Sequence, residues 1–148
     1  MIPVNNFKGI IEQESYSTDN HIIILLLVKP SDNTAHEVIP KFNYFHKKSG
    51  QYCNIYPVGY SERITSDYKD VVKIKGVDNK TWEYSDQCFL EFTEEISLRL
   101  KSWKYVDDIQ VVIFQNILHE DCSKLDFTNY LSIDINYGIE KGYIESFA

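Results

Sequence analysis

Three cysteines, Cys53, Cys88 and Cys122, carry the strongest nucleophile and metal-ligand chemistry in this chain. A reactive thiol needs a positive charge or a helix N-terminus to stabilise its thiolate, together with access to solvent. Cys53 falls mid-strand on the face of Ile55, where core packing accounts for it. Cys88 lies in the first turn of a predicted helix, where the dipole lowers a thiol pKa, and it is the candidate reactive thiol, although Phe89 and Leu90 beside it point to burial. Cys122 ends the run His119-Glu120-Asp121-Cys122, which offers several ligand types at once. A zinc site needs about four ligands with pairs at characteristic spacing. No second pair accompanies this run, and His36 and His46 belong to a distant helix, so it reads as a solvated loop without metal. The carboxylate pairs Glu94-Glu95, Asp107-Asp108 and Glu120-Asp121 are adjacent in sequence, so they point apart and read as helix surface or loop. No GxSxG, P-loop, HExxH or Rossmann glycine pattern occurs, and neither a catalytic residue nor a cofactor is assigned.

Basic residues at Lys41, His46, Lys47 and Lys48, followed by Ser49-Gly50, resemble an anion site, but positive charge and glycine at a helix C-terminus explain them without a ligand. The aromatic content is harder to absorb into a core. It reaches 14%, with 11 tyrosines, and tyrosine combines a large contact area with a polar tip, as interfaces and aromatic-lined pockets require. Tyr44 lies off the apolar stripe of its helix, and Tyr56 and Tyr60 flank a strand end at Pro57-Val58-Gly59. With Trp82 they form the candidate ligand- or partner-binding surface, because ligands of open parallel sheets collect at the carboxyl ends of strands.

The elements that must position these residues are legible from periodicity. Residues 21–29 are a continuous apolar run ended by Pro30, the pattern of a central strand buried on both faces. A turn at 30–33 leads to Asn33 or Thr34 as a helix cap. Ala35, Val38, Ile39, Phe42 and Phe45 then share one helical face, with Pro40 as a kink or a true start. Residues 51–56 form the next strand, so the three elements imply a right-handed parallel crossover. Residues 61–84 read as a β-hairpin insertion, with turn chemistry at 76–79. Ser85 or Asp86 caps a second helix whose apolar positions run from Phe89 to Trp103. A strand at 109–118, a polar loop at 120–129 and an alternating strand at 131–137 follow, with Ile139, Tyr143 and Phe147 on a short closing helix. Residues 1–20 read as an N-terminal arm with at most one short strand, broken by Asn5-Asn6 and Gly9.

At 148 residues, with 43% hydrophobic and 25% charged content, the chain has the size and composition of one globular α/β domain. Its net charge of −7, with scattered lysines, argues against nucleic acid and against an anionic membrane surface. The longest apolar run is too short to cross a bilayer, which needs about 20 residues. The first 16 residues lack the basic start and apolar stretch of a secretory signal. An odd number of widely spaced cysteines suits reduced thiols in a cytosol. Lysine outnumbers arginine 13 to 2, a bias expected of AT-rich coding in a low-GC bacterium or a phage.

The order β-α-β followed by α-β-β-α resembles the core of the thioredoxin-like fold over residues 21–147. The resemblance implies a single mixed sheet flanked by helices, with a parallel first pair of strands and an antiparallel last pair. It does not extend to the family's redox chemistry. Pro30-Ser31-Asp32-Asn33 stands where its paired cysteines would be, and Asp107-Asp108-Ile109 where its cis-proline would be. The expectation is a non-catalytic cytosolic module that binds a protein partner or assembles with itself. The alternatives are a binder of a small aromatic or nucleotide-derived ligand, and a thiol enzyme using Cys88.

Overall fold

The computed structural model describes residues 1–119 and 122–143, with the side chains at 118, 119 and 122–124 left aside. The expected arm begins with a helix, α1 (Phe7–Ser15). Asn6 caps it, its side-chain oxygen accepting the Gly9 N–H at 3.0 Å, and Phe7, Ile10 and Glu14 fall on its buried face. In the sequence alone, Asn5-Asn6 and Gly9 read as breakers. Asn6 is instead a start signal, and packing outweighs the propensity cost of one glycine, about 1 kcal/mol.

Strand β1 (His21–Leu27) pairs in parallel with β2 (Cys53–Pro57). Between them the chain runs through α2 (Ala35–Val38), one 3₁₀ turn at Ile39–Lys41 and α3 (Phe42–Ser49). Pro40 lies in that turn, where the missing N–H breaks the α-helical ladder. Gly50, at φ 53°, ends α3. Neither expected cap acts on α2: the Thr34 hydroxyl donates to Asn136 Oδ1 at 3.2 Å, joining the crossover to the C-terminal helix.

Strands β3 (Tyr60–Ser61), β4 (Val72–Lys75) and β5 (Thr81–Tyr84) form a separate antiparallel sheet in the order β3-β5-β4, so the expected hairpin gains a third strand. Helix α4 (Asp86–Arg99) is capped by Ser85, whose Oγ accepts the Cys88 N–H at 3.1 Å. The helix ends before Leu100 and Trp103, which stay buried on the chain that follows.

Strand β6 (Gln110–His119) lies antiparallel to β1, and β7 (Cys122–Asp134) lies antiparallel to β6. The main sheet therefore has the order β2-β1-β6-β7, and the chain is a mixed α/β protein with a four-stranded mixed sheet and a three-stranded one. Much of the expected polar loop belongs to β7. Its register jumps from Ile113 opposite Leu131 to Gln115 opposite Asp126, looping out residues 127–130. Asp126 Oδ1 accepts the Thr128 N–H at 2.9 Å within that loop, while Phe127 turns inward onto Phe7 and Phe114. Such a bulge also bends an edge strand away from edge-to-edge pairing. Tyr137, expected on the last strand, belongs to α5 (Ile135–Glu140); Phe147 lies outside the described residues.

Register places Ile23, Leu25, Asn54, Tyr56, Val112, Phe114 and Asn116 on one face of the main sheet. Helix α1 packs there and meets α4 through Phe7 and Phe92, with centroids 6.3 Å apart. Helix α3 lies along β2 on the other face, where Cys53 Sγ approaches the Ser49 carbonyl at 3.9 Å.

Candidate functional site

Three of the four residues expected on a binding surface are core residues. Tyr56 and Tyr60 are 0% exposed and Trp82 is 2% exposed, whereas Tyr44 is 57% exposed beside Lys48. The Tyr60 ring lies 5.5 Å from Phe42 and 4.8 Å from Tyr84, and its hydroxyl donates to the Val28 carbonyl at 2.7 Å. Tyr60 thus plugs the carboxyl ends of β1 and β2, where a ligand was expected. Burial pushes the Tyr56 and Tyr60 phenols well above the ordinary tyrosine range, with Glu14 adding to the effect at Tyr56 and Asp32 at Tyr60. The sequence reading missed this because a tyrosine can be buried once its hydroxyl finds an acceptor, and the acceptors are distant in sequence.

Cys88, the expected reactive thiol, is buried too, at 3% exposure. Its Sγ donates to the Asn5 carbonyl at 3.2 Å. Burial, with Glu91, Asp70 and Glu95 nearby, pushes the thiol pKa up to about 11, which outweighs the helix N-terminus. Cys53 is a free, half-buried thiol whose pKa burial also raises. The His119–Cys122 run lies outside the described side chains, and among the described residues no group of three or more His, Cys, Asp or Glu could hold a metal.

Where the chain does gather catalytic residue types, sequence reading had passed over them. Glu14 of α1 is 1% exposed, and its carboxylate accepts from four side chains across the main sheet. Tyr56 OH and Asn54 Nδ2 (2.8 Å) serve Oε1; His21 Nε2 and Asn116 Nδ2 (2.8 Å) serve Oε2. The other ring nitrogen of His21 meets the Asp19 carbonyl at 3.0 Å and Ser17 Oγ at 3.2 Å. Four donors saturate a carboxylate, which has about four lone-pair sites, so the cluster fixes α1 to three strands and keeps no acceptor for a substrate. One signal was available: Asn116 interrupts the apolar run of β6.

At the carboxyl end of β1, Lys29 pairs with Asp107 and lies 5.6 Å from the Tyr105 ring centroid. Asp32 Oδ2 accepts the Lys29 N–H at 2.7 Å. Burial lowers the Lys29 ammonium, but Asp107, Tyr105 and Asp32 outweigh it and raise its pKa. Burial also raises the Asp32 carboxyl, against an opposing pull from Lys29, and pushes Tyr105 up to about 12. Hydrogen bonding from Lys29 holds the exposed Asp107 below the usual carboxylate range. The groups therefore satisfy one another.

The accessible feature of the main sheet is on the face away from α1. Ile22, Ile113, Tyr130 and Leu131 line a shallow groove of about 450 Å³, rimmed by Gln115 and Asp126. Ile22 is 43% exposed and Leu131 56% exposed, although Ile22 belongs to the run expected to be buried on both faces. Helix α3 follows β2, and among the described residues Ile22 and Leu131 stay exposed at this end of β1 and β7.

Among the described residues no helix is long and apolar enough to cross a membrane. No family model, no curated protein and no solved structure matches the chain.

Proposed function

We propose that this chain is a non-catalytic interaction module that works in the cytosol and docks a protein partner, or a second copy of itself, on the open face of its main sheet. The observation that carries the reading is the apolar groove formed by Ile22, Ile113, Tyr130 and Leu131. Neighbouring exposed apolar side chains with a polar rim are what a small protein interface is built from. The closed polar clusters support it as well, because Glu14 and Lys29 are engaged with groups of the chain itself. The strand order β2-β1-β6-β7, parallel in its first pair and antiparallel in its last, favours a thioredoxin-like topology. Topology carries no activity with it.

Native mass spectrometry of the protein isolated gently from its host tests the reading, with Ile22→Asp/Leu131→Asp as the comparison. The wild type should carry a second copy or another polypeptide, and the variant should be a bare 17.4 kDa monomer with an unchanged circular dichroism spectrum. A wild type that is monomeric at every concentration, or an assembly that survives both substitutions, would overturn it.

A further inference from the structure

A second cleft lies between the crossover helices and the β4–β5 turn, remote from the sheet groove. Ile39, Pro40 and Phe42 form its apolar side, and Asn43, Lys75 and Asn79 its polar side. Pro40 opens it by breaking the helix at the 3₁₀ turn. Gly76 lets the turn pack directly on the Trp82 indole, because a Cβ at residue 76 would come within 2.4 Å of the ring. The turn is pinned to α3 by the Asp78 N–H, which donates to Asn43 Oδ1 at 3.3 Å, while Asp78 and Asn79 take left-handed φ of 54° and 59°. The cleft measures about 310 Å³, near the lower bound of small-ligand sites, roughly 300 Å³.

Its polar side is rich in donors. The Asn43 oxygen is occupied, which leaves its NH₂ group, and Lys75 brings an exposed ammonium with three N–H donors. The nearby Asp78 acts electrostatically on His46 and on the Met1 amine, both of whose pKa values burial lowers. The rings of Pro40 and Phe42 beside such donors suit an acceptor-rich, planar molecule. We propose that this cleft binds a small planar organic anion, its flat body against Pro40 and Phe42 and its carboxylate or phosphate against Lys75 and the Asn43 amide. Trp82, in ring contact with Phe42 at 6.0 Å and with its buried indole N–H unpaired, reports on the floor of the site.

The test is a ¹H–¹⁵N NMR titration of the full chain with benzoate, adenosine 5′-monophosphate and inorganic phosphate. The Gly76 and Asn79 amides and the Trp82 indole N–H are followed, the indole being assigned with Trp103→Phe. At least one planar probe should shift these signals saturably, with half-saturation at about 1 mM or below. Phosphate should bind at least about tenfold more weakly. Lys75→Glu should abolish the shifts. Lys73→Glu makes the same charge change on an exposed position of β4 outside the cleft and should leave them intact. No saturable shift with either planar probe, equal binding of phosphate, or equal loss in both variants would overturn the assignment.

Discussion

Replacing Glu14 with alanine removes a carboxylate that is 1% exposed and accepts from Tyr56, Asn54, His21 and Asn116. Asn54 and His21 are only half-buried and 3.1 Å from each other, so they retain partners. The Tyr56 hydroxyl, at 0% exposure, loses its acceptor, and an orphaned buried donor costs about 1–3 kcal/mol. The buried Asn116 amide gives up its bond to Glu14 at the same time, and two such losses together come to about 2–6 kcal/mol. With a urea m-value of about 2 kcal/mol/M, the denaturation midpoint should fall by about 2 M. Tyr56→Phe in the wild type removes a hydrogen bond to a charged group and should cost about 1.5–3 kcal/mol. In the Glu14→Ala background the same substitution removes the orphaned hydroxyl and should be neutral or stabilising, a coupling of at least about 1.5–3 kcal/mol in the double-mutant cycle. Urea unfolding of the four proteins by tryptophan fluorescence checks it. A midpoint shift below about 0.5 M for Glu14→Ala at constant m, or equal costs of Tyr56→Phe in both backgrounds, would refute the network as the anchor of α1.

Four further outcomes follow from the same structure. Ser85→Ala removes the cap of α4 and the hydroxyl that donates to Asp70 at 2.6 Å, and should cost about 1–2 kcal/mol in urea unfolding; a loss of a few tenths would sink it. Asp70 is held below its ordinary pKa by the Ser85 hydroxyl and the Gln87 N–H, so its stabilisation is present above the unfolded-state value of 3.8 and fades as pH falls through the lower folded-state value. Asp70→Asn should therefore flatten the acid limb of the stability profile, and an unaltered limb counts against the contact. Gly76→Ala drives a methyl into the Trp82 ring and should cost about 1–3 kcal/mol by thermal unfolding, where a stabilised variant would contradict the close approach. Cys88, buried and with its thiol pKa near 11, should resist iodoacetamide at neutral pH in the folded protein and react once urea is added. Rapid labelling of the native state, located by peptide mass mapping, would show that the thiol is accessible.

Most of the elements could be read locally, because they follow from short-range periodicity and from side chains that cap their own helix. The run at 21–29, the proline-broken crossover, the Gly50 stop, the Ser85 cap and the apolar stripe of α4 all satisfy that condition. The errors lie where a local signal had two meanings. Asn6 reads as a breaker or as a cap, and only the buried spacing of Phe7, Ile10 and Glu14 decides for the cap. Asp126 and Asn129 read as a loop because their side chains are polar and bond one another, but both belong to β7, Asp126 opposite Gln115 and Asn129 in the bulge, once β6 supplies the ladder.

The site was less legible than the elements. Tyr44 and Tyr56 are the same residue type in the same stretch, one 57% and the other 0% exposed. Sequence fixes that both carry a ring and a hydroxyl. What separates them is an acceptor 42 residues away on another element, Glu14, which satisfies the hydroxyl of Tyr56 and lets its ring be buried. For the same reason the chain by itself determined composition, charge, helix caps and strand periodicity, all set by neighbours within a turn or a pleat. Only the tertiary structure decided which polar groups meet across the sheet. It also left Ile22 open on the part of its sheet face beyond the reach of α3, since burial depends on which element arrives to cover a face.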